Sequence, residues 1–145
     1  MSPLPVSPAS KVAPGHAEAP VILVVEDHGA MRRLLAAWLQ ECFPASTVQT
    51  ASSGEEALAL VRGKSPDLAL IDIELPGIDG IETARRLRQA VAKVRIVMLS
   101  IAEDAHYRNL AGAAGADMFV AKRDVHHALL PIVTCLLACD SRKTS

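Results

Sequence analysis

"LIDIELPGIDG", residues 70–80, decides how this chain is read. Leu68-Ala69-Leu70-Ile71 is apolar without alternation, the pattern of a strand buried on both faces. Asp72 ends that run, and Pro76, Gly77 and Gly80 then impose a turn. A carboxylate therefore stands at the lip of the core with a loop around it, exposed where it can react.

The same grammar repeats on either side. Val21–Val25 is a second continuous apolar strand, and Met31, Leu34, Leu35, Trp38 and Leu39 follow at helical spacing. Thr47–Ala51 reads as a short strand, and Ser53 can cap a helix running to Gly63. After residue 80 a helix is expected over 81–91, with Arg85, Arg86 and Arg88 exposed. A strand over 96–99, a helix over 103–113 ended by Gly115, and a strand over Met118–Ala121 complete the middle of the chain. Asp124 can cap a last helix reaching about Ala138, in which Pro131 either forces a kink or delays the regular helix to about Leu130. Five strand–helix units in series imply an α/β fold, a doubly wound parallel sheet with helices on both faces and right-handed crossovers.

Bulk properties agree with one domain. Of 145 residues half are apolar but only 3% aromatic, so the core must be aliphatic. A formal net charge of −1 offers no global basic field, and direct nucleic-acid binding is not expected. Cys42, Cys135 and Cys139 have no metal or redox spacing and read as buried, reduced thiols of a cytoplasmic protein. No apolar run is long enough to span a membrane, and the N-terminus lacks the pattern of a signal peptide. Residues 1–19, rich in Pro, Ser and Ala, read as a disordered tail. Residues 20–139 form the domain, and 140–145 a flexible end.

In an open parallel sheet, chemistry collects beyond the carboxyl ends of the strands. Those ends carry Glu26-Asp27, Asp72, Ser100 and Lys122. Two charges about 4 Å apart at an effective dielectric near 20 repel by roughly 4 kcal/mol. Three acids in one pocket therefore call for compensation. Lys122 supplies one positive charge and a hard divalent cation two more, so the cluster predicts a metal, with Mg²⁺ suited to few carboxylates and several waters. Asp79 reads as a turn residue before Gly80, His28 as lining the first loop, and His126-His127 as surface residues.

Glu26-Asp27, Asp72, Ser100 and Lys122, in this order, resemble the signature of the receiver domain of bacterial two-component response regulators. Asp72-Ile-Glu-Leu-Pro-Gly-Ile-Asp-Gly80 is similar to that family's phosphorylation loop. The resemblance implies the flavodoxin-like strand order 2-1-3-4-5. It implies that Asp72 accepts a phosphoryl group from a sensor histidine kinase or a histidine phosphotransfer protein. Glu26, Asp27, Asp72 and the backbone carbonyl of Glu74 would hold Mg²⁺, for which Mn²⁺ can substitute. Ser100 and Lys122 would bind phosphoryl oxygens. Phe119, three residues before Lys122, is the switching aromatic of the resemblance, and helix 4, strand 5 and helix 5 the output surface, with a phosphorylation-dependent homodimer as one outcome. Such a chain works by binding, not as an enzyme with substrate turnover.

Arg123 stands where most receivers have Pro after the signature Lys, and the stretch from Leu99 to Val125 is similar to receivers of the NarL-like class. Members of that class usually carry a DNA-binding domain, for which a chain ending at Ser145 has no room. The unusual N-terminal tail favours a stand-alone receiver over a fragment of a DNA-binding regulator. Glu74, two residues after Asp72, is the second departure and should overhang the pocket mouth. The rival reading, a Mg²⁺-dependent aspartyl phosphatase, wants Asp at position 74. A nucleotide-binding domain wants a Gly-rich loop where "EDHGA" stands.

Overall fold

Alternating side chains along each strand sort the core into two layers. The computed structural model describes residues 19–101 and 105–143, the side chains of 139–143 excepted. The tail expected over 1–19 lies outside the described residues except for Ala19. The elements run β1 (Val21–Val25), α1 (Gly29–Cys42), β2 (Thr47–Ala51), α2 (Gly54–Gly63), β3 (Leu68–Asp72), α3 (Gly80–Ala90), β4 (Arg95–Ser100), α4 (Ala105–Ala113), β5 (Met118–Ala121) and α5 (Val125–Lys143). A single 3₁₀ turn, Lys122–Asp124, joins the last two.

All strands are parallel, in the order β2-β1-β3-β4-β5, so the expected doubly wound sheet is present. Leu23, Val25, Ala69, Ile71, Ile96 and Met98 point to one face, where α2, α3 and α4 cover them. Ile22, Val24, Leu68, Leu70, Val97 and Leu99 point to the other, under Leu35 and Leu39 of α1 and Leu129 and Val133 of α5. Three helices start on side-chain caps. Met31 N–H donates to His28 Nδ1 at 3.3 Å, Glu56 N–H to Ser53 Oγ at 3.0 Å, and Glu82 N–H to Asp79 Oδ1 at 2.8 Å. His28 and Asp79 are thus helix caps, a more definite role than lining a loop or making a turn.

Several expectations need correction. Leu34 lies at helical spacing but is 66% exposed, because α1 presents only a narrow stripe to the sheet. Cys135 is exposed and Cys42 half-buried, so the reading of buried thiols fails for these two; the Cys139 side chain lies outside the described residues. The last helix does not wait for Leu130. It is continuous from Val125 past the expected Ala138 to Lys143, with Pro131 inside it on the solvent side. Of its wide apolar stripe only Leu129 and Val133 are fully buried, and Leu130 is exposed. The expected beginning of α4 at residue 103 falls outside the described residues.

Arg85 and Arg86 are exposed as expected and pair with Glu82 one turn back. Arg88 is not. Its guanidinium donates to the carbonyls of Ala92, Val94 and Gly115 and to Asp117 Oδ2. Asp117 Oδ2 in turn accepts from the Ile96 N–H at 2.8 Å. One planar fork thereby ties the end of α3 to the segments entering β4 and β5, at the pole opposite the acidic residues. Arg88→Lys keeps the charge but cannot reproduce that fork. It should cost about 1–3 kcal/mol of stability, read as a lower urea midpoint at unchanged slope.

Candidate functional site

Strand register brings the acids together. Val25 lies opposite Ile71, so Glu26, the next residue, comes up beside Asp72. Asp72 lies opposite Leu99, and Ser100 opposite Ala121, which puts Lys122 at the same edge. The chain leaves β1 toward β2 but returns to β3 on β1's other side. The crevice at the carboxyl ends of β1 and β3 is therefore the switch point of the sheet.

Asp72 is held on both oxygens. Lys122 Nζ donates to Oδ2 at 3.1 Å, and the Glu74 N–H donates to Oδ1 at 3.0 Å. Its expected exposure is wrong: the residue is 2% accessible. Gly80 N–H donates to the Ile73 carbonyl at 2.9 Å and closes the β3–α3 loop. Burial raises the Asp72 pKa, and the Glu26 charge raises it further against the opposing pull of Lys122. Burial alone would lower the Lys122 pKa, but Asp72, followed by Glu26, outweighs it and leaves the ammonium more firmly protonated.

Glu26 is 1% exposed and Asp27 is exposed. The Glu26 main-chain carbonyl accepts from Arg32 at 2.9 Å, which pins the start of the loop to the first turn of α1. Lys122 Nζ also lies 3.1 Å from Glu26 Oε1. One ammonium is thus shared between the two buried acids. One oxygen each from Glu26, Asp27 and Asp72 lie within 4.8 Å of one another. An all-oxygen set of three acids, two of them buried and sharing one ammonium, fits a hard divalent cation.

Ser100 is fully buried, and its Oγ donates to Glu74 Oε2 at 3.1 Å. Glu74 itself is exposed and overhangs the pocket as expected. Phe119 lies farther off. It is half-buried, and the Arg108 guanidinium carbon sits 4.7 Å above its ring. Both line a cavity of about 270 Å³ between α4 and β5, with Ala111, Gly112, Ala116, Asp117 and Met118. Sequence reasoning missed Arg108 and the Glu74–Ser100 contact, since no local pattern marks a cation stacked across elements or an acid bonded to the next strand's hydroxyl.

Comparison with known proteins agrees with this geometry. Residues 22–133 match the family of response regulator receiver domains. The transcriptional activator protein ExaE of Pseudomonas putida is 39% identical over 117 residues, covering 81% of this chain and 55% of that protein. The chain thus spans about half the length of the curated relatives it matches. The response regulator TrrA from Thermotoga maritima, solved in complex with Mg(2+)-BeF, superposes with a TM-score of 0.71 at 37% identity, covering 81% of this chain and 98% of that one. A CheY-like receiver from Methanospirillum hungatei superposes at 0.78 with 24% identity, over 86% of this chain and 98% of that one, and speaks for the fold. With the sheet order, the acid cluster at its switch point and this match across most of its length, the chain belongs to the receiver domain family of two-component response regulators.

Proposed function

We propose that this chain is a phosphoryl-accepting switch in a cytoplasmic phosphorelay, with Asp72 as the acceptor. The observation that carries the reading is Asp72, paired with Lys122 at 3.1 Å and flanked by Glu26 and Asp27 at the switch point of the sheet. An Asp72 oxygen attacks phosphorus. The bond from phosphorus to the donor nitrogen of a phosphohistidine breaks, and the imidazole nitrogen keeps that electron pair and takes a proton from water. Mg²⁺, when bound, supplies positive charge to the acids and to the transferring oxygens. Glu26, Asp27, Asp72 and the Glu74 backbone carbonyl would hold it, and Mn²⁺ can substitute. The Lys122 ammonium pairs with one phosphoryl oxygen, and the Ser100 hydroxyl donates to another.

The partner is a sensor histidine kinase or a histidine phosphotransfer protein. Output passes through Phe119 to the surface of α4, β5 and α5, where Tyr107, Leu110, Met118 and Leu130 stand exposed as contacts for a partner or a second copy. No helix among the described residues is long and apolar enough to cross a membrane. A second reading of the output, the receiver part of a DNA-binding transcriptional regulator, is favoured by the half-length match to a protein named as a transcriptional activator.

Incubation with acetyl phosphate and Mg²⁺, followed by intact mass, tests the proposal. One phosphoryl adduct per chain is expected, and with EDTA labelling should fall to background. Sustained release of phosphate from small phosphoesters would instead make the chain a phosphatase and an enzyme in the ordinary sense.

A further inference from the structure

The side chain of Glu74, unlike its backbone, stands beside the proposed chemistry without a part in it. Its backbone N–H is bonded to Asp72 Oδ1, and its side chain reaches over to the end of β4, where Oε2 accepts the Ser100 hydroxyl at 3.1 Å. The carboxylate belongs to an exposed residue, while the hydroxyl belongs to a fully buried one. A long side chain thus crosses the mouth of the pocket from β3 to β4, bonded at both ends. We infer that Glu74 is a latch on phosphoryl uptake: its carboxylate occupies the Ser100 hydroxyl in the unphosphorylated chain, and an arriving phosphoryl group must displace it. The inference rests on the proposed function and extends it to a residue that sets the rate.

The reasoning is chemical. A serine hydroxyl has one hydrogen to donate, and a carboxylate can only accept. While Ser100 donates to Glu74, that hydrogen is not available to a phosphoryl oxygen. The competitor is strong, because hydrogen bonds to a charged acceptor exceed neutral ones. The same negative charge also repels an anionic donor at the pocket mouth, an effect distinct from the latch because it needs no hydroxyl. Transfer from acetyl phosphate has a simple balance: an Asp72 oxygen bonds to phosphorus, the bond from phosphorus to the acetyl oxygen breaks, and acetate leaves with the electron pair. No proton transfer is needed, so the rate reports access and stabilisation of the phosphoryl group.

Initial rates of adduct formation with acetyl phosphate and Mg²⁺ are compared by intact mass for the native chain, Glu74→Gln, Glu74→Ala, Ser100→Ala and the Glu74→Ala/Ser100→Ala double variant. Glu74→Ala should label about tenfold faster than the native chain, the gain from releasing one charge-assisted hydrogen bond. Glu74→Gln, which keeps an acceptor but loses the charge, should fall between. In the Ser100→Ala background the same change to Ala should gain less than about twofold, because no hydroxyl remains to be released. Equal gains in both backgrounds would reduce Glu74 to a repelling charge and overturn the latch, as would unchanged or slower uptake in Glu74→Ala. A native chain that never labels would sink the receiver reading itself, a different failure. The contact is read independently of any donor by urea denaturation. Midpoint losses of the two single variants that add in full in the double variant would show the residues to be uncoupled and overturn the latch; losses that do not add support it.

Discussion

Asp72→Asn stays unlabelled under conditions that put one phosphoryl group on the native chain, and it melts higher. The first effect follows from chemistry. An amide oxygen is neutral and a poor nucleophile, and the substitution is nearly isosteric, so the loss is complete while the fold is retained. The second follows from electrostatics. Asp72 is buried beside Glu26, and its raised pKa, caused first by desolvation and then by the Glu26 charge, means that its ionised form opposes folding. For an acid whose folded pKa lies above the unfolded one, that cost is full at pH above the folded value and gone below the unfolded value. Measured in EDTA at neutral pH, the variant should gain about 1–2 kcal/mol, or about 3–8 °C in melting temperature. The gap to the native chain should close as pH falls through the range where Asp72 takes up its proton. Scanning calorimetry on both proteins checks this; a gap that is constant with pH would mean the acid cluster imposes no such cost. Saturating Mg²⁺ should narrow the gap, because the ion stabilises the native chain more than the variant.

Gly80→Ala is expected to be the most damaging small substitution in the chain. A Cβ at Gly80 would lie 2.1 Å from the Asp72 carbonyl oxygen and 2.6 Å from the Ile73 Cα. Both obstacles are backbone of the core strand and the residue after it, and neither can rotate away. The loop is closed at this point by the Gly80 N–H bond to the Ile73 carbonyl, so the conflict opens the loop that carries Glu74 and follows Asp72. A cost of about 3 kcal/mol or more is expected from such overpacking. Phosphoryl uptake should fall as well, since a shifted Asp72 loses its alignment with Lys122. Gly63→Ala is the control: a Cβ there meets nothing within 4 Å, and its stability should change by less than about 1 kcal/mol. Urea denaturation of both variants provides the measurement. Comparable stabilities would show that the loop yields where the geometry says it cannot.

Strand and helix order were legible because apolar runs and helical periodicity report burial directly. The caps at Ser53 and the turn at Gly80 were legible for the same local reason. Leu34 and Arg88 were misread because periodicity says which side chains share a face, not which faces find a neighbour. Leu34 repeats correctly and meets solvent. Arg88 belongs to an exposed-looking trio, yet the distant Gly115 carbonyl and Asp117 carboxylate accept from it. Of the two readings of Pro131, the delayed start of the helix fails for a related reason. Pro131 lies on the solvent side of α5, where the helix continues through the missing hydrogen bond.

What the sequence determined by itself was the class of fold and the roster of groups at the strand ends: Glu26, Asp27, Asp72, Ser100 and Lys122. Their residue types and their places after apolar runs are local properties. What only the tertiary structure decided was how they meet. Parallel register set Asp72 beside Glu26 and next to Lys122, packing left Asp72 buried, and Glu74 was bonded to Ser100 across two strands. Those outcomes depend on residues far apart along the chain, and distance through space is not written in any one stretch of it.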